Sequence, residues 1–227
     1  MVPGARLVIL GKQGSGKGTQ CVRLARHYVV PHISTGDLFR AAVKAGTSEY
    51  AKRAKEYMEA GELIPDDIVV GVVRERLTQN DTGHRGFILD GFPRTTFQAE
   101  ELEKMLEPRD LDLAINLEVP MEMVLKRLAD RRVCRDCGAN YSVGTPPKVD
   151  WTCDTCGGEV VQRGDDTTDA IKRRLVLYEK ETQPLIAWYQ ERGKLETVDG
   201  VGSPDLVSSR LIHAIDRRRG RDVTVSP

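Results

Sequence analysis

The feature that most constrains this chain is a glycine-rich loop that directly follows a short apolar run. The run Arg6–Leu10 is a candidate buried strand, and residues 11–19 contain the pattern G-x-x-x-x-G-K, which ends at Lys17. Glycines let successive backbone N–H groups point inward, and a helix N-terminus follows, so the loop predicts a site for nucleotide phosphates. Lys17 would reach those phosphates as a mobile point charge. Gly18 stands where Ser or Thr usually follows the lysine, with Thr19 one place later, so the simple pattern holds in part.

Further apolar runs of strand length alternate with helical patterns along the chain. The additional strand candidates are residues 87–90, 113–117 and 195–198. Pro120 suits the first position of a helix, and apolar side chains recur three, four and seven places after Met121, which gives one apolar stripe. This alternation predicts an α/β fold with a parallel sheet that is covered on both faces.

Two segments interrupt the alternation. Residues 34–63 are predicted to be mainly helical, with Gly61 and Pro65 as the stop signal. Residues 131–164 are rich in glycine, proline and cysteine, a composition that favours turns and short hairpins over a hydrophobic core. We interpret both segments as insertions in one main domain. A long helix is predicted to begin at Thr167, and Pro184 should kink or break it.

Four of the five cysteines form two C-x-x-C pairs, Cys134 with Cys137 and Cys153 with Cys156. In a chain where we see no export signal, this repeat is more typical of a metal site than of disulfides. Four thiolates can surround zinc tetrahedrally and leave no open position, so the sequence predicts a structural Zn²⁺, with iron as the alternative metal. Such a ribbon can bind nucleic acid, but this one carries acidic Asp136, Asp150, Asp154 and Glu159 among few basic residues, which weakens that alternative. Cys21 stands apart and is expected to be a small core residue.

Charge and hydropathy argue against several other classes of protein. The 34 Lys and Arg residues balance 34 Asp and Glu residues, so there is no overall bias toward nucleic acid or an acidic membrane. No apolar run approaches the roughly 18 to 20 residues that span a bilayer, and we expect a cytoplasmic protein with no nucleic-acid or membrane partner. The four histidines show no pairing at ligand spacing and are expected to be structural or on the surface. The charged tail, residues 218–227, is expected to be flexible.

The loop ending in Gly-Lys-Gly-Thr resembles the phosphate loop of adenylate kinases, and other motifs of that family follow in the family's order across nearly the whole chain. They are Ile33-Ser-Thr-Gly-Asp-Leu-Phe-Arg40, Asp90-Gly-Phe-Pro-Arg94 with Gln98, Arg127 and Arg131, Arg163-Gly-Asp-Asp166, and Arg174. Two positions depart from the family pattern. Gln13 stands where proline is common, and Asp130 stands where a glycine commonly precedes the lid arginine. Gln13 could alter the stiffness of the loop or the rate, but it removes no phosphate donor.

The resemblance implies a P-loop three-layer α/β fold with a five-stranded parallel sheet. It also implies a monomeric ATP:AMP phosphotransferase that interconverts ATP plus AMP with two ADP, requires Mg²⁺ and maintains adenine nucleotide balance. The expected division is a core of residues 1–33, 64–129 and 168–217, a helical NMP-binding insertion at 34–63 and a zinc-binding lid at 130–167.

A phosphotransferase must bring two polyanions together in line and neutralise the charge on the transferred group, so several cations should converge. Arginine suits this task because its planar fork grips phosphate oxygens in pairs. The resemblance assigns catalysis to Lys17, Asp90, Arg94, Arg127, Arg131, Arg163 and Arg174. It assigns ATP binding to Gly14, Ser15, Gly16, Lys17, Gly18, Thr19, Arg131 and Gly202. It assigns AMP binding to Thr35, Arg40, Glu62, Leu63, Ile64, Gly91, Phe92, Pro93, Arg94, Gln98, Arg163 and Arg174.

Some of these residues carry more specific expectations. Asp90 ends an apolar strand, where a carboxylate can hold Mg²⁺, most simply through water. Thr35 and Gln98 resemble the positions where adenylate kinases read the adenine of AMP. Asp165 and Asp166 could orient the lid arginines.

Two rival functions stay open at this point. The first is the same class of enzyme with a pyrimidine monophosphate as acceptor. The second is a nucleotide-gated zinc-ribbon protein that senses or hydrolyses ATP without any monophosphate acceptor. Arg40, Arg94 and Gln98 argue against the second rival, because a plain ATPase has no reason to assemble them.

Overall fold

The computed structural model of the protein describes residues 4–45, 49–83, 85–163 and 166–220. A five-stranded, all-parallel sheet runs through its centre in the strand order β2-β3-β1-β4-β8. The strands are β1 (Arg6–Leu10), β2 (His32–Ser34), β3 (Phe87–Asp90), β4 (Leu113–Glu118) and β8 (Leu195–Asp199). The predicted sheet is therefore confirmed, and the four strand candidates are all present.

Strand β2 is the one that the sequence did not reveal. It is three residues long, and only Ile33 in its middle is buried, so it offers no apolar run to detect. By contrast, β1, β3 and β4 are apolar runs buried on both faces, which is typical of the inner strands of a parallel sheet.

Helices cover both faces of the sheet and give the three predicted layers. One face carries a cluster that includes Val73, Leu102 and Leu185, and the other carries a cluster that includes Leu24 and Leu211. The main-domain helices are α1 (Lys17–Tyr28), α4 (Asp66–Leu77), α5 (Asn80–Gly83), α6 (Thr96–Leu106), α7 (Met121–Asp130), α8 (Thr168–Leu177), α9 (Pro184–Glu191) and α10 (Pro204–Arg218).

The predicted long helix is interrupted before Pro184 by a π-helical turn, and a second α-helix follows. Helix α8 passes into a π-helical turn, Tyr178–Thr182, and α9 begins with Pro184 in its first turn. Proline is tolerated at that position because the first N–H groups of a helix have no partner within the helix.

The first interrupting segment is helical, as predicted. It contains α2 (Thr35–Ala45) and α3 (Glu49–Ala60). Gly61 ends α3 with a φ of 76°, and a Cβ at this position would lie 2.8 Å from the Ala170 carbonyl oxygen on α8. Glycine is therefore required by both the backbone angle and the close approach of α8.

The second interrupting segment forms a small antiparallel sheet in the order β6-β5-β7, as the hairpin prediction anticipated. Its strands are β5 (Arg131–Cys134), β6 (Asn140–Ser142) and β7 (Val160–Val161). Its buried cluster consists of Cys134, Cys153 and Val160, with Ala139 and Tyr141 packed beside it. A core of this size is too small to hold a sheet by apolar burial alone.

No helix within the described ranges has the length and apolar character needed to cross a membrane. Helix α10 continues to Arg218, one residue past the expected end of the core. Residues 221–227 of the expected tail lie outside the described residues, as does Asp165.

Candidate active site

The glycine-rich loop joins β1 to α1 and is shaped by backbone angles that favour glycine. Gly11, Gly14 and Gly16 have φ values of 141°, 82° and 98°. A Cβ at Gly14 would lie 2.8 Å from Leu128 Cγ and 2.9 Å from the Val124 carbonyl oxygen, so helix α7 packs directly against the loop. The sequence G-x-x-x-x-G-K thus folds into the curled loop that it predicts, with the N-terminus of α1 behind it.

Lys17 lies curled over the loop. Its Nζ donates to the carbonyl oxygens of Gly11 at 2.6 Å and Lys12 at 2.9 Å. Burial, opposed by the charge of Asp90 and helped by that of Arg94, lowers the pKa of Lys17 from 10.5 to about 8. The ammonium group is therefore poorly solvated and would gain from an incoming phosphate.

Arg127 supports the loop through the backbone. It donates from Nη1 to the Ser15 carbonyl oxygen at 3.0 Å and from Nη2 to the Gly200 carbonyl oxygen at 3.2 Å. It thus joins the loop to the turn after β8, where Gly202 is exposed at a φ of 130°. Within the described part of the chain, Ser15 Oγ is buried without a hydrogen-bond partner, which fits a hydroxyl awaiting a phosphate oxygen.

Asp90 lies at the carboxyl end of β3, beside the loop. Its Oδ2 is 3.5 Å from His32 Nε2, and a Cβ on Gly18 would come equally close to that oxygen, at 3.5 Å. Burial alone would raise the pKa of Asp90, but the hydrogen bond from His32 and the charges of Lys17 and Arg94 hold it below its ordinary value. The carboxylate is therefore ionised at neutral pH, and its oxygen is the kind of ligand that Mg²⁺ prefers.

Arg94 is fixed by contacts from three directions. Its Nε donates to the Gly91 carbonyl oxygen at 2.8 Å, and its backbone N–H donates to Gln98 Oε1 at 2.8 Å. Thr182, in the π-helical turn, donates from Oγ1 to the Arg94 carbonyl oxygen at 3.0 Å. The turn that replaces a regular helix before Pro184 therefore helps to position a site arginine.

Three further arginines approach Arg94. Burial lowers the pKa of Arg94, and the charges of Arg174, Arg40 and Arg163 lower it further. Mutual repulsion of this kind is costly for the protein alone and is relieved when a polyanion binds between the guanidinium groups. Arg40 comes from α2, where it bonds to Asp37, so the cluster draws on both the first insertion and the main domain.

Asp166 contacts two arginines of the site, Arg131 and Arg174. Its buried carboxylate accepts two hydrogen bonds from Arg131, including one from Nε at 2.6 Å, and lies 3.7 Å from Arg174 Nη1. Gln13 Nε2 donates to Asp166 Oδ1 at 3.1 Å, so the unusual loop residue reaches across the site. Asp166 therefore contacts two of the arginines that it is expected to orient, Arg131 and Arg174.

The two residues expected to contact the adenine of AMP make hydrogen bonds within the protein. Thr35 Oγ1 donates to the Gly91 carbonyl oxygen at 3.0 Å, and Gln98 Nε2 donates to Asp66 Oδ1 at 2.7 Å. Both side chains are buried. Both contact the loop of Gly91, Phe92, Pro93 and Arg94, which joins β3 to α6, since Thr35 donates to the Gly91 carbonyl oxygen and Gln98 Oε1 accepts from the Arg94 N–H.

The chain after α3 leads from the first insertion back to the core. Glu62 is exposed, Leu63 is half-buried, and Ile64 packs against the main cluster. Two arginines of α8 hold this end of α3, because Arg174 Nη2 donates to the Met58 carbonyl oxygen at 2.7 Å and Arg173 Nη1 to that of Ala60 at 3.1 Å.

The second sheet lies over the phosphate loop. Asn140 Nδ2 is 3.8 Å from the position that a Cβ on Gly18 would occupy, and Lys44 Nζ of α2 is 3.6 Å from Asp136 Oδ1. The sheet therefore approaches both the loop and the first insertion.

The four clustered cysteines meet with their sulfurs within 4.8 Å of one another. Cys134 and Cys156 sulfurs are 3.5 Å apart, as are those of Cys137 and Cys153. Four sulfurs bound tetrahedrally at about 2.3 Å would be about 3.8 Å apart, so the four thiols fit one metal ion with small adjustments.

Cys153 receives a hydrogen bond from the Tyr141 hydroxyl at 3.4 Å, which lowers its pKa to about 6. This sulfur is thus the one best prepared to bind a metal as a thiolate.

Three residues of the site and one contact escaped the sequence reasoning. His32, Asn140 and Thr182 carry no local motif, and the partner of Gln13 lies 153 positions away. Short spacing could not signal any of these contacts, because each depends on how distant elements pack.

The loop lysine, the carboxylate at the sheet edge and the arginines that converge from several elements define the class of P-loop kinases. The family model described as adenylate kinase matches residues 9–194. The chain belongs to the adenylate kinase family, and as a member it is an ATP:AMP phosphotransferase.

Curated relatives agree over nearly the full chain. An adenylate kinase of Thermodesulfovibrio yellowstonii is 51% identical over 94% of this chain and 100% of its own length. One of Archaeoglobus fulgidus is 51% identical over 86% of this chain and 90% of its own, and one of Acetivibrio thermocellus is 47% identical over 92% and 97%. The family that the sequence resembles is therefore confirmed.

Proposed function

We propose that the protein transfers the γ-phosphoryl group of ATP directly to AMP between two nucleotides bound on either side of the arginine cluster. The observation that carries the proposal is the meeting of Arg94, Arg40, Arg163 and Arg174 close to Lys17 and Asp90. A hydrolase needs only one phosphate site, whereas this cluster extends into the helical insertion, where a second phosphate can bind.

On the donor side, we assign the ATP phosphates to the N–H groups of the loop, to Lys17 and to Ser15 Oγ. Arg127 would hold the loop in shape through the Ser15 carbonyl oxygen. Asp90 would hold Mg²⁺ through water, and the ion, when bound, neutralises charge on the ATP phosphates. The turn at Gly202 would lie near the adenine of ATP.

On the acceptor side, Arg40 and Arg94 would grip the AMP phosphate with their paired N–H groups. Gln98 supports Arg94 through its backbone N–H, and Thr35 supports the same loop. We assign to both residues contact with adenine as well, together with the backbone of residues 61–64, which would line the pocket.

The two insertions would act as covers. We propose that residues 34–63 and the lid, residues 130–167, close over the bound nucleotides and exclude water, which would otherwise accept the phosphoryl group. Arg131, Arg163 and Arg174 would then face the transferred group, with Asp166 setting the direction of two of them. No side chain needs to act as a nucleophile, because the AMP phosphate itself attacks.

The metal in the lid would be structural Zn²⁺, held by Cys134, Cys137, Cys153 and Cys156. The finer expectations of a monomer, a cytoplasmic location and a role in adenine nucleotide balance are part of the same proposal. The absence of a nucleic-acid or membrane partner also belongs to it.

The test is ADP formation from ATP and Mg²⁺ with AMP, UMP, CMP or GMP offered in turn, beside a reaction without an acceptor. We expect turnover with AMP, and we expect Arg94→Ala to lower it by at least about a hundredfold, the size found when one donor to a transition-state charge is removed. Arg26→Ala, an exposed change on α1, is the matched control and should keep full activity.

The two rivals predict different results. Preference for UMP or CMP would establish a pyrimidine acceptor, and phosphate release that is indifferent to every monophosphate would establish an ATPase.

A further inference from the structure

A second group of metal-ligating side chains lies next to the phosphate loop, away from the lid cysteines. It consists of Cys21, His32 and Asp90, whose ligand atoms all lie within 4.8 Å of one another. The phosphoryl transfer described above uses Asp90, whose negative charge His32 supports, but it gives neither Cys21 nor His32 a contact with a nucleotide. The close approach of these three side chains therefore needs a separate explanation.

The fold brings the three residues together from three elements. His32 begins β2 and Asp90 ends the neighbouring β3, in a register that pairs Ser34 with Asp90. Cys21 lies on the face of α1 that packs on the sheet and is fully buried. The group thus lies at the carboxyl edge of the sheet, under the first turns of α1.

The geometry is close to that of a bound metal. His32 Nε2 and Asp90 Oδ2 are 3.5 Å apart, and a tetrahedral zinc ion bound at about 2.1 Å would set them about 3.4 Å apart. His32 Nε2 is buried, and within the described residues it has no hydrogen-bond partner of good geometry beside this long approach to Asp90. The Cys21 sulfur has to move closer by about 1 Å at most to complete the set.

The donor atoms select the kind of ion. A thiolate, an imidazole and a carboxylate are ligands typical of Zn²⁺ and similar ions, whereas Mg²⁺ prefers oxygen ligands alone. We propose that Cys21, His32 and Asp90 form a second site for a divalent cation of the zinc class, and that its occupation inhibits phosphoryl transfer.

The neighbouring charges oppose a cation but do not forbid one. Lys17 and Arg94 both act on Asp90, and a divalent ion would be repelled by both. Burial raises the pKa of the Cys21 thiol, so the metal has to displace its proton on binding. Two anionic ligands then offset the repulsion, and Lys17 Nζ is already engaged by the Gly11 and Lys12 carbonyl oxygens. The site should therefore be weaker than the four-cysteine site, and it should fill only after the lid is loaded.

Inhibition follows from the shared carboxylate. An ion bound to Asp90 Oδ2 removes that oxygen from the hydrated Mg²⁺ that accompanies ATP. This part of the inference rests on the proposed role of Asp90, whereas the binding of the ion does not.

The test uses the full chain loaded with one equivalent of Zn²⁺, to which Co²⁺ is then added. A cobalt ion bound by sulfur gives a charge-transfer band in the near ultraviolet, and we expect this band with a second equivalent of metal. The band should disappear in Cys21→Ala and weaken in His32→Gln, while the lid of both variants keeps its zinc. Persistence of the band in Cys21→Ala, or a titration that ends at one equivalent, would overturn the proposal.

Kinase assays with added Zn²⁺ test the inhibition. Cys21→Ala should keep the basal rate and should need at least about tenfold more Zn²⁺ for half-inhibition, because one ligand is lost. Brief treatment with EDTA should restore the wild-type rate. Binding of the second ion without inhibition would refute both the regulatory part of the inference and the proposed role of Asp90. The dependence of turnover on AMP is measured separately, without added Zn²⁺, so that result would still stand.

Discussion

At the scale of single residues, the fold lowers the pKa of Lys17, and this change should be visible in the pH dependence of activity. Its pKa is lowered from 10.5 to about 8, so the ammonium is present below pH 8 and is lost as the pH rises through that value. Because kcat/KM reports the free enzyme, kcat/KM for ATP should fall above about pH 8, approaching tenfold per pH unit. A pH profile at saturating AMP checks this, and a flat profile up to pH 10 would contradict it.

Gln13 tests whether the departure from proline has a function. Its amide donates to Asp166, which in turn bonds Arg131. Loss of a hydrogen bond to a charged group that remains otherwise paired costs about 1 kcal/mol, so Gln13→Ala should raise KM for ATP by about fivefold.

Gln13→Pro separates this hydrogen bond from loop stiffness. If the bond matters, proline and alanine should have the same effect on KM. An unchanged KM and turnover in both variants would show that the contact is incidental.

The residues that the sequence predicted well are those whose chemistry lies within a few positions. The glycine loop and the pairs Cys134 with Cys137 and Cys153 with Cys156 depend on short spacing, which survives any arrangement of the rest of the chain. The approach of His32 to Asp90 depends on the order of the strands, and the contact from Gln13 to Asp166 depends on where the lid lies. No local pattern encodes either of them.

At the scale of elements, Gly61 is the joint between α3 and the chain that returns to the core. Gly61→Ala should destabilise the protein by about 2 kcal/mol, since a left-handed backbone angle is unfavourable for alanine and the new Cβ would crowd Ala170. We expect a Tm that is lower by several degrees and a higher KM for AMP.

Gly71→Ala is the matched control. Gly71 lies inside α4, is exposed, and has no atom within 4 Å of its would-be Cβ. Alanine should stabilise the helix by about 0.5 to 1 kcal/mol without changing KM. A Tm change of the same sign in both variants would show that the reasoning about Gly61 is wrong.

The lid should be separable from the core by removing metal. Its apolar cluster is small, whereas a structural zinc supplies on the order of 10 kcal/mol. Chelation, or Cys137→Ser, should abolish AMP-dependent turnover while the main-domain sheet keeps its thermal transition. Calorimetry together with metal analysis checks this, and full activity in metal-free protein would contradict it.

The helices and strands that bury long apolar runs were the ones that the sequence predicted. The inner strands and the helices that cover them follow from hydrophobic periodicity, because burial on both faces demands apolar runs. Strand β2 and the π-helical turn Tyr178–Thr182 do not follow from it. The first is held by pairing with β3, and the second is stabilised by tertiary contacts such as the one from Thr182 to Arg94.

At the scale of the whole molecule, the ion pair between the first helical segment and the small antiparallel sheet is weak. Lys44 and Asp136 are both largely exposed, at 67% and 61% of their side-chain surface. Exposed ion pairs contribute about 0 to 1 kcal/mol, so this one cannot hold the covers together. Stronger contacts within the described residues run through the main domain.

Helix α8 provides these contacts. Its Arg174 reaches the Met58 carbonyl oxygen at the end of α3 and also approaches Asp166, where Gln13 and Arg131 meet. We expect a ligand that shifts one of these ends to change the free energy of the other, if it binds the two arrangements with different affinity. The two nucleotides should therefore be thermodynamically linked, and by reciprocity AMP must change the affinity for an ATP analogue by the same factor as the analogue changes the affinity for AMP.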